Sequence, residues 1–166
     1  FTSVVGDAGI TVAQKLDGVI NVTSGNSYTV YTAVEGLLRA AEMMNVDISQ
    51  SRVAIIGATG SIGAVCAKML APQVAQIDLV GRDPQKLEAL RQDVSTQEGR
   101  KAVISVATNV KSALREADLV LAVSAAGKEL IFPEDLKIGA VICDVARPRD
   151  VSREVVEKRD DVLVIE

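Results

Sequence analysis

From Ser51 to the last residue, six short apolar runs alternate with amphipathic stretches, at 53–56, 77–80, 102–106, 119–123, 140–143 and 162–165. Their length and β-branched content read as strands, and their near-continuous apolar character fits strands covered on both faces. Strands separated by helical segments build a parallel sheet, because each parallel connection must cross back over one face. The expected fold class is α/β, a three-layer doubly wound parallel sheet. A chain of 166 residues suits one domain and can bury a core without disulfides or metal.

The helices between the runs have readable ends. Asp83 precedes Pro84 as an N-cap, and Leu87, Leu90 and Val94 keep helical spacing. Asn109 can cap a second helix, with Val110, Ala113, Leu114 and Ala117 as its apolar stripe. Pro133 opens a short helical turn. The first fifty residues read differently: strands at 2–5 and 19–22 surround a short helix at 10–16. A longer helix follows over 27–45, with Val30, Val34, Leu37, Leu38, Ala41 and Met44 on one face and Ser24 or Asn26 as its cap. That helix is expected to pack on the sheet.

The first strand runs directly into Gly57, Ala58, Thr59, Gly60, Ser61, Ile62 and Gly63, and an apolar helix opens there. In a strand–turn–helix of this kind the first glycine permits the tight turn and the second lets the backbone approach a pyrophosphate. The third lets helix and strand pack closely. The helix N-terminus offers unpaired N–H groups and the positive end of its dipole to the phosphates. The motif therefore predicts a dinucleotide-binding Rossmann fold. We expect residues 27–166 to form this NAD(P)-binding domain and residues 1–26 to be the remnant of an adjoining catalytic domain packed on it. The chain starts at Phe1 rather than Met and stops after the run 162–165, so we expect a piece of a longer protein.

Cofactor choice turns on the end of the second strand. An acidic residue there holds the ribose 2′-hydroxyl of NAD, whereas NADP requires space and a cation. Asp78 stands at the right distance from the glycines but at the strand's start, and the tip holds Gly81 and Arg82. Arg82 can pair with a 2′-phosphate, with Lys86 assisting from the next turn. NADP(H) is favoured; NAD(H) returns if Asp83 faces the ribose instead of capping its helix. Two later loops complete the expected cleft at carboxyl ends of strands: Ser124 and Ala125 after 119–123, and Asp144 and Val145 after 140–143. Ser124 can equally serve as a turn residue, and 144–149 as a salt-bridged loop.

Composition removes other chemistries. The chain has no histidine, which excludes a Ser-His-Asp triad and His-ligated zinc. Cys66 and Cys143 are too few for a thiolate zinc site and read as buried, reduced thiols, core residues rather than nucleophiles. No metal site is expected. A pI near 5.0 and a stacking inventory of Phe1, Tyr28, Tyr31 and Phe132 argue against nucleic-acid binding. The uncharged stretch between Arg52 and Lys68, the longest near the centre of the chain, is interrupted by glycines and too short to span a membrane. With no basic region leading into an apolar stretch, a cytoplasmic protein is expected.

The stretches Thr23-Ser-Gly-Asn-Ser-Tyr-Thr29, Asp47-Ile-Ser-Gln50 and Val53-Ala-Ile-Ile-Gly57-Ala-Thr-Gly60-Ser-Ile-Gly63 resemble cyanobacterial long-chain acyl-acyl carrier protein reductases. The likeness runs nearly end to end and covers the middle section of those enzymes. A broader similarity joins shikimate dehydrogenase and glutamyl-tRNA reductase, the latter through Asp144-Val-Ala-Arg-Pro-Arg-Asp150. The resemblance implies an NADPH-dependent oxidoreductase that reduces an acyl thioester to an aldehyde. It also implies that the acyl-accepting cysteine lies beyond this chain. Asn26 and Ser27 can point into the hydride-transfer cleft or simply make a turn and cap, and Lys128 can polarise a carbonyl or sit on the surface. The alternatives are a shikimate-type or amino-acid dehydrogenase acting on a small carbonyl substrate, and a non-catalytic NADP(H)-sensing module. The 27–45 helix can cover either a missing domain or a partner subunit of a homo-oligomer.

Overall fold

The computed structural model describes residues 9–17, 19–23 and 25–166. Its strands are β1 (Arg52–Ile56), β2 (Gln76–Val80), β3 (Val103–Ala107), β4 (Leu119–Ala122), β5 (Val141–Asp144) and β6 (Leu163–Ile165). All pairings are parallel, in the order β3-β2-β1-β4-β5-β6. This is the doubly wound order, in which the winding reverses between β1 and β4 and opens a crevice at their carboxyl ends. The helices are α1 (Ile10–Lys15), α2 (Asn26–Met43), α3 (Ser61–Leu70), α4 (Pro84–Ser95), α5 (Val110–Leu114) and α6 (Arg153–Lys158).

Alternation along the strands divides the core into two layers. Val53, Ile55, Ile77, Leu79, Leu119 and Leu121 face one side, where they meet Leu37 of α2, Cys66 and Leu70 of α3, and Leu87 and Val94 of α4. Ala54, Ile56, Val80, Val120 and Ile142 face the other, against Ala113 and Leu114 of α5 and Val155 of α6. Each strand therefore needs apolar residues at nearly every position, which is why the sequence runs are continuous.

The helix caps form as expected. Asp83 accepts from the backbone N–H groups of Gln85 (3.0 Å) and Lys86 (3.2 Å), and Asn109 accepts from that of Ser112 (3.3 Å). The turn at Pro133 is a single 3-10 turn, Pro133–Asp135. Strand limits move by a residue: 102–106 becomes Val103–Ala107 and 140–143 becomes Val141–Asp144.

The N-terminal region differs from expectation. Residues 19–22 form no strand; Val19 and Ile20 are exposed, and the sheet edges are β3 and β6. A short apolar run yields a strand only where a neighbour supplies hydrogen bonds, and among the described residues no strand pairs with it. The strand expected at 2–5 lies outside the described residues. Helix α2 begins at Asn26, and its N-cap is Gly25 in the left-handed region (φ 78°) without a side-chain cap. Asn26 is thus the first helical residue rather than the cap, and Ser24 lies outside the described residues. Among the described residues no helix is long and apolar enough to cross a membrane.

Helix α2 lies against α3 and over β4, β5 and β6, with Val34, Leu37 and Ala41 fully enclosed. Truncating Leu37→Ala should cost about 3 kcal/mol of unfolding free energy, as for other large core deletions. Urea denaturation measures it; a loss below ~1 kcal/mol would show that this helix is not part of the core.

Candidate functional site

The turn after β1 is built on missing side chains. Gly57 adopts a left-handed conformation (φ 85°), and a Cβ there would stand 2.7 Å from Ser124 Cα and 2.9 Å from the Val123 carbonyl oxygen. The backbone N–H groups of Gly57 (3.0 Å) and Ala58 (3.1 Å) both donate to the Val80 carbonyl, tying the turn to the end of β2. A Cβ on Gly63 would meet the Gly57 carbonyl oxygen at 2.6 Å and Ala58 Cα at 2.9 Å. Gly63 thus lets α3 press onto the turn. Gly60 is the N-cap of α3, which has no side-chain cap and no acidic residue in its first turn. Its first N–H groups lack intrahelical acceptors and the dipole leaves partial positive charge there.

A cleft of about 480 Å³ opens in front of this turn. The structure brings Gly57, Thr59 and Gly60 together there with Gly81 and Arg82 from the tip of β2 and Ser124, Ala125 and Lys128 from the loop after β4. Thr108, Val110 and Leu130 also line it and were not anticipated. Thr108 immediately follows β3, so the rule that ligands sit at carboxyl ends of strands extends to it as to β2 and β4. Ala58 is buried, Ile62 packs on the core, and Ser61 is exposed at the first position of α3. Asn26 Nδ2 donates to Ser61 Oγ at 3.2 Å, whereas Ser27 is exposed.

The acidic residues near the tip of β2 are engaged elsewhere. Asp78 is buried in mid-strand, where its carboxylate accepts from Arg52 Nε (2.6 Å) and Gln76 Nε2 (3.1 Å). Asp83 caps α4. Arg82 is exposed at the cleft. Lys86 lies outside the cleft lining, with its ammonium 3.8 Å from Asp83.

The loop after β5 holds itself together. The Asp144 carboxylate is buried and accepts from the backbone N–H groups of Ala146 (3.0 Å), Asp150 (2.9 Å) and Val151 (2.9 Å). Val145 donates its N–H to the Ala122 carbonyl (2.9 Å). Neither residue lines the cleft. Asp150 is fully buried and accepts from Ser124 Oγ (2.6 Å) and Ser124 N (3.1 Å), which fixes the loop after β4. Burial holds the Asp150 carboxyl above the usual carboxylate range, against the lowering effect of the Ser124 bonds. Arg149 (2.7 Å) and Arg147 (3.6 Å) pair with Glu166.

Neither thiol is set up as a nucleophile. Burial pushes Cys66 up to about 12 and Cys143 up to about 11, so both stay protonated near neutrality. Among the described residues no three metal-ligating side chains come together.

A family model described as shikimate / quinate 5-dehydrogenase matches residues 38–166. An aminotransferase, PigE, of a Serratia species is 32% identical over 166 residues, covering all of this chain and 19% of that protein. A long-chain acyl-[acyl-carrier-protein] reductase of Synechococcus elongatus is 29% identical over 136 residues, covering 80% of this chain and 38% of that protein. The chain therefore spans well under half the length of either curated relative. Glutamyl-tRNA reductase from Methanopyrus kandleri superposes with a TM-score of 0.62 at 26% identity, over 81% of this chain and 34% of that one.

With both thiols buried and protonated, a thiol-specific disulfide reagent at pH 8 should label neither Cys66 nor Cys143 in the folded protein. Both should react once denaturant is added. Rapid labelling without denaturant would contradict the placement of these residues.

Proposed function

Because the chain belongs to the shikimate / quinate 5-dehydrogenase family, we propose that its cleft binds NADP(H) and forms the cofactor half of an oxidoreductase acting on an acyl thioester. The observation that carries the cofactor choice is at the tip of β2. Arg82 lines the cleft there while Asp78 is buried against Arg52 and Asp83 caps α4. With Asp78 buried and Asp83 holding the start of α4 through Oδ1, the tip suits a 2′-phosphate paired with a guanidinium.

The residues fit the rest of a dinucleotide. Gly57 and Gly63 close the turn without side chains, and Gly60 presents bare backbone at the cleft beside the uncapped end of α3, a setting for the diphosphate. Ser124, Ala125, Ala126 and Val123 form a floor of small side chains, held in place by Asp150. Bound NADPH supplies a hydride; the chain's own part is to fix the phosphates and keep that floor in position. The similarity to the acyl-carrier-protein reductase supports reduction of an acyl thioester to an aldehyde. Both thiols are buried and protonated, which supports an acyl-accepting group other than Cys66 or Cys143. A second reading, reversible oxidation of a small polyol or amino acid, is favoured by the family match over 38–166.

Calorimetric titration tests the cofactor. Tighter binding of NADPH than NADH is expected, and Arg82→Ala should weaken NADPH about 10- to 100-fold, the worth of a charge-assisted pair, while leaving NADH within about two-fold. Equal affinities, or equal losses for both cofactors, would defeat the NADP assignment. The substrate is tested in the full-length protein, where a long-chain acyl thioester should drive NADPH consumption with aldehyde formation. Turnover of shikimate or an amino acid instead would select the second reading.

A further inference from the structure

Asn26 opens α2 and Ser61 opens α3, and the Asn26 side-chain amide donates to Ser61 Oγ at 3.2 Å across 35 positions of sequence. An amide nitrogen only donates, so the Ser61 hydroxyl takes this bond as acceptor and keeps its own proton for another partner. Among the described residues Asn26 is the hydroxyl's one hydrogen-bond partner. Ser61 is exposed and directly follows Gly60, which lines the cleft, on a helix end that no side chain caps. A hydroxyl proton left over at such an end is matched to an anionic oxygen.

From this geometry we infer that Asn26 is a positioning residue for the dinucleotide's diphosphate: it fixes the Ser61 hydroxyl so that its proton points at a phosphate oxygen seated at the start of α3. The inference rests on the cofactor reading above. It gives Asn26 a part in cofactor binding through Ser61, separate from a role at the hydride-transfer centre. It also makes the first turn of α2 part of the phosphate seat.

The test is calorimetric titration of the chain and its variants with NADPH, and with adenosine 2′-monophosphate, which carries the phosphate assigned to Arg82 and no diphosphate. Asn26→Ala should weaken NADPH about five-fold, the scale of one neutral hydrogen bond, and leave adenosine 2′-monophosphate unchanged. Asn26→Asp should weaken NADPH more than Asn26→Ala does, because a carboxylate only accepts, draws the Ser61 proton to itself and adds negative charge beside the phosphates. An acid in the first turn of α2 suits the helix dipole, so this variant keeps its fold, which circular dichroism checks. In a Ser61→Ala background Asn26→Ala should cause no further loss. Unchanged NADPH affinity in Asn26→Ala, a proportional loss for adenosine 2′-monophosphate, or additive losses in the double variant would each overturn the inference while leaving the cofactor reading intact. If the unaltered chain binds neither NADPH nor NADH, the cofactor reading falls and the inference falls with it.

Discussion

The approach of α3 onto the turn before it, with only a hydrogen on Gly63 facing the Gly57 carbonyl, sets the geometry of the whole cleft. A side chain at Gly63 would lie 2.6 Å from that oxygen, so the helix could stay in place only by moving the turn. The turn in turn cannot move. Two backbone N–H groups hold it to Val80, and Gly57 lies so close to Ser124 that no Cβ fits between them. Three strand ends, β1, β2 and β4, are thereby locked around one bare helix terminus. Interiors packed at this density do not relax around an added methyl group without cost.

Charge is distributed around that terminus with the same economy. Carboxylates near the cleft are occupied: Asp78 by Arg52, Asp83 by the end of α4, Asp144 and Asp150 by loop backbone and Ser124. The cations Arg82 and Lys128 line the cleft. Buried carboxylates are tolerable because each accepts several N–H or O–H donors, which offsets the loss of hydration. The charged side chains that line the cleft are therefore cations. Asp150 shows the division of labour well, since the group that orders the loop after β4 is itself fully enclosed.

Much of this was legible from residue order. The six apolar runs are the six strands within a residue or so, because a strand covered on both faces must be apolar throughout and leaves no ambiguity of side. Asp83 and Asn109 were readable as caps because each sits directly before a proline or an apolar stripe. What could not be read were contacts between residues distant in sequence. Nothing local to Asp144 says that its carboxylate collects three loop N–H groups. Nothing near Asn26 says that it meets Ser61. The difference at 19–22 has the same origin, since a short apolar run does not say which strand would pair with it. Lys86 stands apart from the cleft lining for a more local reason: it lies in the first turn of the helix that begins at Pro84, with its ammonium near Asp83.

The central claim is that the glycine turn and the first turn of α3 seat the phosphates of a dinucleotide. Amide-resolved NMR during titration with NADPH tests it most directly, because it reports which backbone N–H groups change environment. The largest shifts should fall on Gly60, Ser61, Ile62 and Gly63, with a second group at Gly81 and Arg82. Shifts concentrated elsewhere, for instance in the groove between α6 and β6 lined by Arg149, Arg153 and Glu166, with the glycine turn unmoved, would contradict it.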